Sequence, residues 1–291
     1  RDEAEQRQAL GQAQVVRRFL PESAETVDEE LLASLIPRVH ANAYGICNVQ
    51  GRVSGTALYI GGSLLNHSCR PNVAVSYVGV RAVFRALEPV PKGKELCHAY
   101  VNVLLPLSHR RAELLRRKRF SCLCPRCSAE EDSCQRAAED VGEQAQMDAA
   151  AALARDACAL RGQGQIAAAM RGFEAALSSA SSGGSPTSHS TQAIARQQLA
   201  ELCFEQGRWG PCGEHAAAAL RLLDGALALP PGSPSAAALQ LLAAEAAARL
   251  GKDSEKRRLA GEACQRLAVS YGPDHFVTEC ARLASAASSS A

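Results

Sequence analysis

Large rings are scarce in this chain: one Trp, five Tyr and six Phe among 291 residues, with only two Met. A core built on aromatic stacking is therefore excluded, and packing falls to Ala, Leu and Val within a composition that is 47% apolar. Charge of one sign is missing too. Lys and Arg total 32 against 30 Asp and Glu, a net +2, which gives no general electrostatic drive toward nucleic acid. No apolar run reaches the roughly 20 residues needed to cross a bilayer, so no membrane partner is expected. The N-terminus carries no signal-peptide pattern and begins at Arg1, not Met, which reads as a cut point inside a longer protein. The length suffices for a real core and points to two domains.

Cysteine is abundant by contrast, with twelve. A disulfide framework is not the expectation, because Cys47, Cys97, Cys158, Cys203, Cys264 and Cys280 are scattered singly through apolar or helical segments. They read as reduced thiols that pack as small hydrophobes, which places the protein in the cytoplasm or nucleus.

The first 40 residues read as helical. Leu31, Leu32, Leu35 and Val39 recur at helical spacing, with Asp28 or Thr26 as the cap. Gly51, Gly55, Gly61 and Gly62 mark turns. Val73–Val78 and Val80–Leu87 around Gly79 predict a hairpin in which Val73, Val75 and Tyr77 share one face, and Val80, Ala82 and Phe84 share one on the next strand. A short strand follows over Glu95–Tyr100. From about residue 108 the pattern is helical. Gly162, Gly207 and Gly251 recur about every 45 residues between Ala/Leu-rich runs, predicting helical hairpins with Gly closing each first helix. Ala216, Ala217 and Ala263 would let paired helices approach closely. Ser178–Thr191 and Pro230–Ser235 read as polar insertions, Ser181–Pro186 as a flexible loop, and Ser288–Ala291 as a disordered tail.

Chemistry concentrates in one region. Cys122-x-Cys124-x-x-Cys127 supplies three thiolates within six residues, and a tetrahedral zinc site wants four ligands. Cys69 is the favoured fourth, with Cys134 and His67 as competitors. Four thiolates leave no open position, so such a zinc would be a staple and not a catalyst. Read alone, Asn66 and His67 could build a tight turn, Tyr100 could be a core residue with a satisfied hydroxyl, and Phe120 an ordinary core ring. The basic run Arg110, Arg111, Arg116, Arg117, Lys118 and Arg119 reads as a solvated helix face, not as a nucleic-acid surface.

Several stretches together carry a resemblance. They are Asn42-Ala-Tyr44, Ser63-Leu-Leu-Asn-His-Ser-Cys69-x-Pro-Asn72, Gly93-x-Glu95 running to Tyr100, and Arg110-Arg111 with Leu114 before Phe120-x-Cys122-x-Cys124-x-x-Cys127. In that order they resemble the C-terminal half of a SET domain. The chain is most similar to the SMYD (SET and MYND domain) protein-lysine methyltransferases, in the branch that also carries tetratricopeptide repeats. Tyr271-Gly-Pro-Asp-His275 is similar to a turn in that family's final hairpin.

The resemblance implies an α+β fold. Residues 1–107 would be the C-terminal, β-rich half of a SET domain with a helical insert, 108–134 a zinc-binding post-SET segment, and 135–291 an all-α tetratricopeptide-like domain. It implies S-adenosylmethionine as cofactor, held by Asn42, Ser63, Leu65, Asn66, His67, Tyr100 and Phe120. It makes Tyr100 the catalytic residue, puts Tyr44 with Tyr100 along the substrate-lysine channel, and assigns zinc to Cys69, Cys122, Cys124 and Cys127. The family's N-terminal SET strands and MYND finger are absent from these residues and are expected before Arg1, so the segment alone is expected to be a poor enzyme. Lys118 stands where active relatives usually carry a channel Tyr, Tyr44 replaces a Phe, and Lys94 replaces a Glu. The substrate would be a histone or non-histone lysine. The alternative is a SET-derived scaffold, weak or inactive, whose helical repeats bind a chaperone or transcriptional partner.

Overall fold

The computed structural model describes residues 3–21, 27–47, 53–137, 141–180 and 186–286. The chain forms two compact units, 1–65 and 66–291, and the fold is α+β.

In the first unit, α1 (Glu3–Arg17) and α2 (Glu29–Asn42) pack together. Ala9 and Ala13 are buried, as is Leu32 in α2. Of the two caps expected for α2, Asp28 serves: its side chain accepts the Leu31 N–H, satisfying one of the orphan donors of the first turn. Thr26 lies outside the described residues, as does Gly51. Strand β1 (Tyr44–Cys47) pairs antiparallel with β2 (Val53–Ala57). Gly55 therefore sits within a strand and not in the turn expected of it. A single 3-10 turn, Gly62–Leu64, ends the unit.

The second unit opens with β3 (Asn66–His67), followed by the predicted hairpin β4 (Val73–Val78) and β5 (Arg81–Ala86). Val75 faces Phe84 and Tyr77 faces Ala82, but two expectations fail. Val80 is in the turn with Gly79 and is exposed. The burial also does not follow one face, since Val73, Ala74 and Ser76 are all buried. The reason is that a later helix, α10 (Asp253–Ser270), packs on both strands, and His275 reaches the Tyr77 carbonyl at 3.4 Å. Cover by a helix that reaches both strands adds burial that the local alternation does not encode. The strand expected over Glu95–Tyr100 is reduced to β6 (Cys97–His98), which pairs in parallel with β3.

Helices make up the rest: α3 (Leu107–Lys118), α4 (Pro125–Ala137), α5 (Val141–Gly162), α6 (Ile166–Ala180), α7 (Pro186–Glu205), α8 (Trp209–Asp224), α9 (Pro234–Arg249), α10 and α11 (Phe276–Ala286). Consecutive helices from α5 onward pack as neighbours. Ala216 and Ala263 are fully buried at these contacts, as the small-residue reading predicts, while Ala217 is half-buried. Two details differ from the sequence reading. Gly162 is still helical, and Gly164 is the residue that turns left-handed, with φ +76. Ser178–Ala180 and 186–191 are helical and not an insertion. Thr187, Ser188, Ser190 and Thr191 are buried there, and Ser188 Oγ donates to the Ala180 carbonyl at 2.6 Å. The 181–185 part of the expected loop and the tail at 288–291 lie outside the described residues.

Candidate functional site: a thiolate cluster beside Tyr100

The residues singled out in the sequence fall into two groups. Asn42, Tyr44, Ser63 and Leu65 belong to the first unit. Ser63 Oγ lies 3.3 Å from the Asn42 carbonyl, and Asn42 donates its own amide to the Arg38 carbonyl at 2.8 Å. Tyr44 donates its hydroxyl to the Gly62 carbonyl at 2.7 Å and meets Tyr59 edge-on. Leu65 N–H closes the 3-10 turn on Gly62.

Asn66, His67, Tyr100, Phe120 and the four cysteines belong to the second unit. The Sγ atoms of Cys69, Cys122, Cys124 and Cys127 all lie within 4.8 Å of one another, and those of Cys69 and Cys127 are 3.5 Å apart. A zinc ion with bonds of about 2.3 Å to four thiolates spaces them by about 3.8 Å, so the set fits zinc. The competitors drop out. Cys134 pairs with Thr187 at 3.2 Å. His67 accepts the Tyr100 backbone N–H on Nδ1 at 3.0 Å, which assigns its proton to Nε2, 3.2 Å from the Cys69 sulfur. His67 thus donates toward a ligand and is not one itself.

Arg116, Arg117 and Arg119 are exposed, as the solvated face expected of the basic run requires, but Arg110 is buried and Arg111 and Lys118 are half-buried. Arg110 has no exposed surface. Its Nε is 3.2 Å from Cys69 Sγ and its Nη2 3.7 Å from Cys127 Sγ, and Nη2 also pairs with Glu130 at 2.6 Å. Burial works against this charge, but the Glu130 carboxylate and the Cys69 thiol overcome it and hold the guanidinium above its ordinary range. Arg126 completes the buried group: it pairs with Glu130 and donates to the carbonyls of Cys69 and Val103 and to Ser190 of α7. Arg111 pairs with Glu131 through two hydrogen bonds of 2.8 Å. Sequence reading missed this network. Its one visible signal was the interleaving of Arg126 and Glu130 with the Cys-x-x-Cys spacing, since acidic partners at such positions suit a buried cation.

Around the cluster stands a set of rings. Tyr100 contacts His98 (centroids 4.8 Å), His67 (5.4 Å) and Phe120 edge-on (6.4 Å). Burial, then Cys97 and Glu95, push the Tyr100 phenol up, so it stays neutral. Burial lowers His98 to about 4, leaving a neutral imidazole beside it. Arg119 at the end of α3 adopts φ +63, a left-handed turn costing a non-glycine residue roughly 1–2 kcal/mol. That turn sends the chain directly into Phe120 and Cys122. Lys118, one residue earlier, places Nζ over the Tyr100 ring at 4.9 Å from the centroid. A cleft of about 530 Å³ opens beside this group, lined by His67, Asn72, Glu95, Cys97, Phe120 and Cys122 among others. Asn66 donates its amide to the Glu95 carboxylate at 2.7 Å.

Residues 2–101 match the SET domain family. Over 133 residues the chain is 29% identical to the N-lysine methyltransferase SMYD2-B of Danio rerio, covering 44% of this chain and 31% of that protein. It is 35% identical over 94 residues to the histone-lysine N-methyltransferase SMYD3 of Mus musculus, covering 32% and 22%. It is 32% identical over 116 residues to SMYD2-B of Xenopus laevis, covering 40% and 27%. The chain thus spans between 22% and 31% of the length of these relatives. Its SET-matching segment covers the first third of the chain, and that part of the chain is similar to the SMYD lysine methyltransferases named above.

Proposed function

We propose that the protein carrying this chain transfers a methyl group from S-adenosylmethionine to the ε-amine of a protein lysine. The observation that carries this reading is Tyr100: a neutral phenol, walled by His67, His98 and Phe120 and held against a thiolate cluster that fits zinc. The cofactor would supply an electrophilic methyl on a sulfonium, a direct displacement for which the protein has to provide position and a neutral amine. A free lysine has a pKa near 10.4, and a half-buried site disfavours its charged form. Tyr100 would hold that amine. Within residues 66–291, Asn66, His67 and Phe120 would meet the cofactor. The cleft fits an adenosyl group in kind, with Phe120 and His67 for the ring and polar groups at Asn72 and Glu95.

The zinc would act through position alone. His67 connects it to Tyr100, since one imidazole touches both Cys69 and the Tyr100 backbone. The names of the relatives include both a histone-lysine enzyme and enzymes named for N-lysine methylation without a substrate, so either kind of lysine suits the reading. Reduced thiols favour the cytoplasm or nucleus, and among the described residues no helix is long and apolar enough to cross a membrane. Nucleic acid is disfavoured, because Arg110 and Arg111 are committed to Glu130 and Glu131.

The test is labelled methyl transfer to a cell lysate by the full-length protein and its Tyr100→Phe form. Loss of about a hundredfold in the variant is expected, the size of a removed positioned hydroxyl. The second reading, a scaffold of low activity, draws on Lys118 at the Tyr100 ring. It gains a binding surface from the 280 Å³ groove between α8, α9 and α10, where Ala243, Ala246 and Leu250 meet Lys252 and Arg258. A chaperone or transcriptional partner would dock there. Equal, negligible transfer by both folded, zinc-loaded proteins selects that reading.

A further inference from the structure

We propose that Lys118 is itself a methyl acceptor of this site, methylated in place within its own chain. The inference rests on the methyltransferase reading above and adds an acceptor to it.

The argument begins with where the amine is. Lys118 ends α3, and its Nζ lies over the face of the Tyr100 ring, so the residue assigned to position an incoming amine already has one against it. The left-handed turn at Arg119 fixes the backbone on the C-terminal side, and the fully buried Leu114 anchors the helix one turn earlier. The side chain is thus presented from a held element, not from a mobile loop. Its environment suits the chemistry as well. Burial, with Arg117 second, holds the amine below the ordinary lysine range, which raises the neutral fraction that a nucleophile requires.

The step balances without a further reactant. The neutral Nζ uses its lone pair to form the N–CH3 bond. The S–CH3 bond of the donor breaks with its pair left on sulfur, giving a neutral thioether and a methylammonium at Nζ. The one proton released to water is the one the lysine ammonium gave up in becoming the neutral nucleophile. The product keeps a cation that can stay against the aromatic group of Tyr100, as methylated ammonium ions do on aromatic faces.

Two experiments test this. The full-length protein is incubated with labelled S-adenosylmethionine beside a cell lysate and cut after Glu, which yields the peptide 114–130. Label at Lys118 is expected, in a fraction independent of protein concentration, and it disappears in Lys118→Arg, which preserves the cation over the ring. Label that rises with protein concentration overturns transfer in place. Lysate proteins labelled while Lys118 stays bare overturn the acceptor role and leave the proposed function standing. No label anywhere overturns both.

The second experiment needs no donor. The chain has five lysines, and reductive 13C-methylation makes each visible by NMR. The Lys118 methyl resonance is expected upfield of the other four because of the Tyr100 ring current, and Tyr100→Leu should return it. An unshifted resonance overturns the placement on which the proposal depends.

Discussion

A guanidinium with no exposed surface is costly unless its partners are well placed, and Arg110 has four of them: two thiols, Glu130 and the Leu105 carbonyl. Its role follows from charge. Four thiolates around a divalent cation carry net negative charge, and Arg110 supplies a fixed positive group at the two sulfurs that face inward. Arg110→Met keeps much of the bulk and removes the charge and the donors. Zinc release to a chromophoric chelator should then accelerate at least tenfold, and stability should fall by about 3 kcal/mol because Glu130 loses one of two cations. Unchanged release with unchanged stability would mean that the thiol contacts carry no weight. At this scale the sequence was legible where spacing encodes chemistry. Cys122, Cys124 and Cys127 announce a ligand set by their separation alone, and Cys69 joins them as expected. Arg110 was not legible, and Lys118 was marked only through the resemblance, as standing in place of a channel Tyr. Burial of a cation depends on partners such as Glu130 or Tyr100, and contiguous basic letters look alike whether they face water or a ring.

The helical hairpins show what periodicity can and cannot resolve among elements. A recurring Gly at about 45 residues located the turns, yet in the first hairpin two glycines, Gly162 and Gly164, compete for the same role. Backbone angles separate them. Gly164, Gly207 and Gly251 have φ of +76, +69 and +70, whereas Gly162 ends its helix without a positive φ and has open space around a built Cβ. Gly207→Ala should therefore cost about 1 kcal/mol from left-handed strain. Gly162→Ala should be neutral or stabilising by about 0.5–1 kcal/mol, since Ala is the better helix former. Urea denaturation midpoints of the two variants check the pair, and equal destabilisation would remove the assignment. The β elements were harder to read. Alternation in β4 assigned Val73, Val75 and Tyr77 to one face, but α10 covers the hairpin from a sequence distance of nearly 180 residues. A local pattern carries no trace of a cover that arrives so late in the chain.

At the scale of the whole molecule, the zinc-fitting cluster and the helical region lie in one compact unit, residues 66–291. Val103 and Leu104, just past the SET match, are buried in the same core as Ala193, Leu227 and Leu239 of the helical region. Arg70 makes a two-pronged pair with Glu88 and donates to the Ala228 carbonyl. That carbonyl belongs to a residue with φ +43, a strained turn that the bond helps to hold. Arg126 reaches from the cysteine loop to Ser190 of α7 while also bonding the Cys69 and Val103 carbonyls. Freeing the cysteine loop would therefore unseat Arg126 from three partners at once, and the effect should reach helices that touch no thiol. Chelation of zinc is expected to lower the thermal midpoint of the helical signal at 222 nm by on the order of 10 °C, as loss of a structural metal from a body of this size implies. In Arg126→Met the starting midpoint should already be lower, and chelation should then lower it less, because the link is already cut. If the helices instead melt at one temperature with or without metal, while the thiols become reactive to an alkylating probe, the cluster and the repeats are separate bodies and Arg126 is only a surface of contact between them.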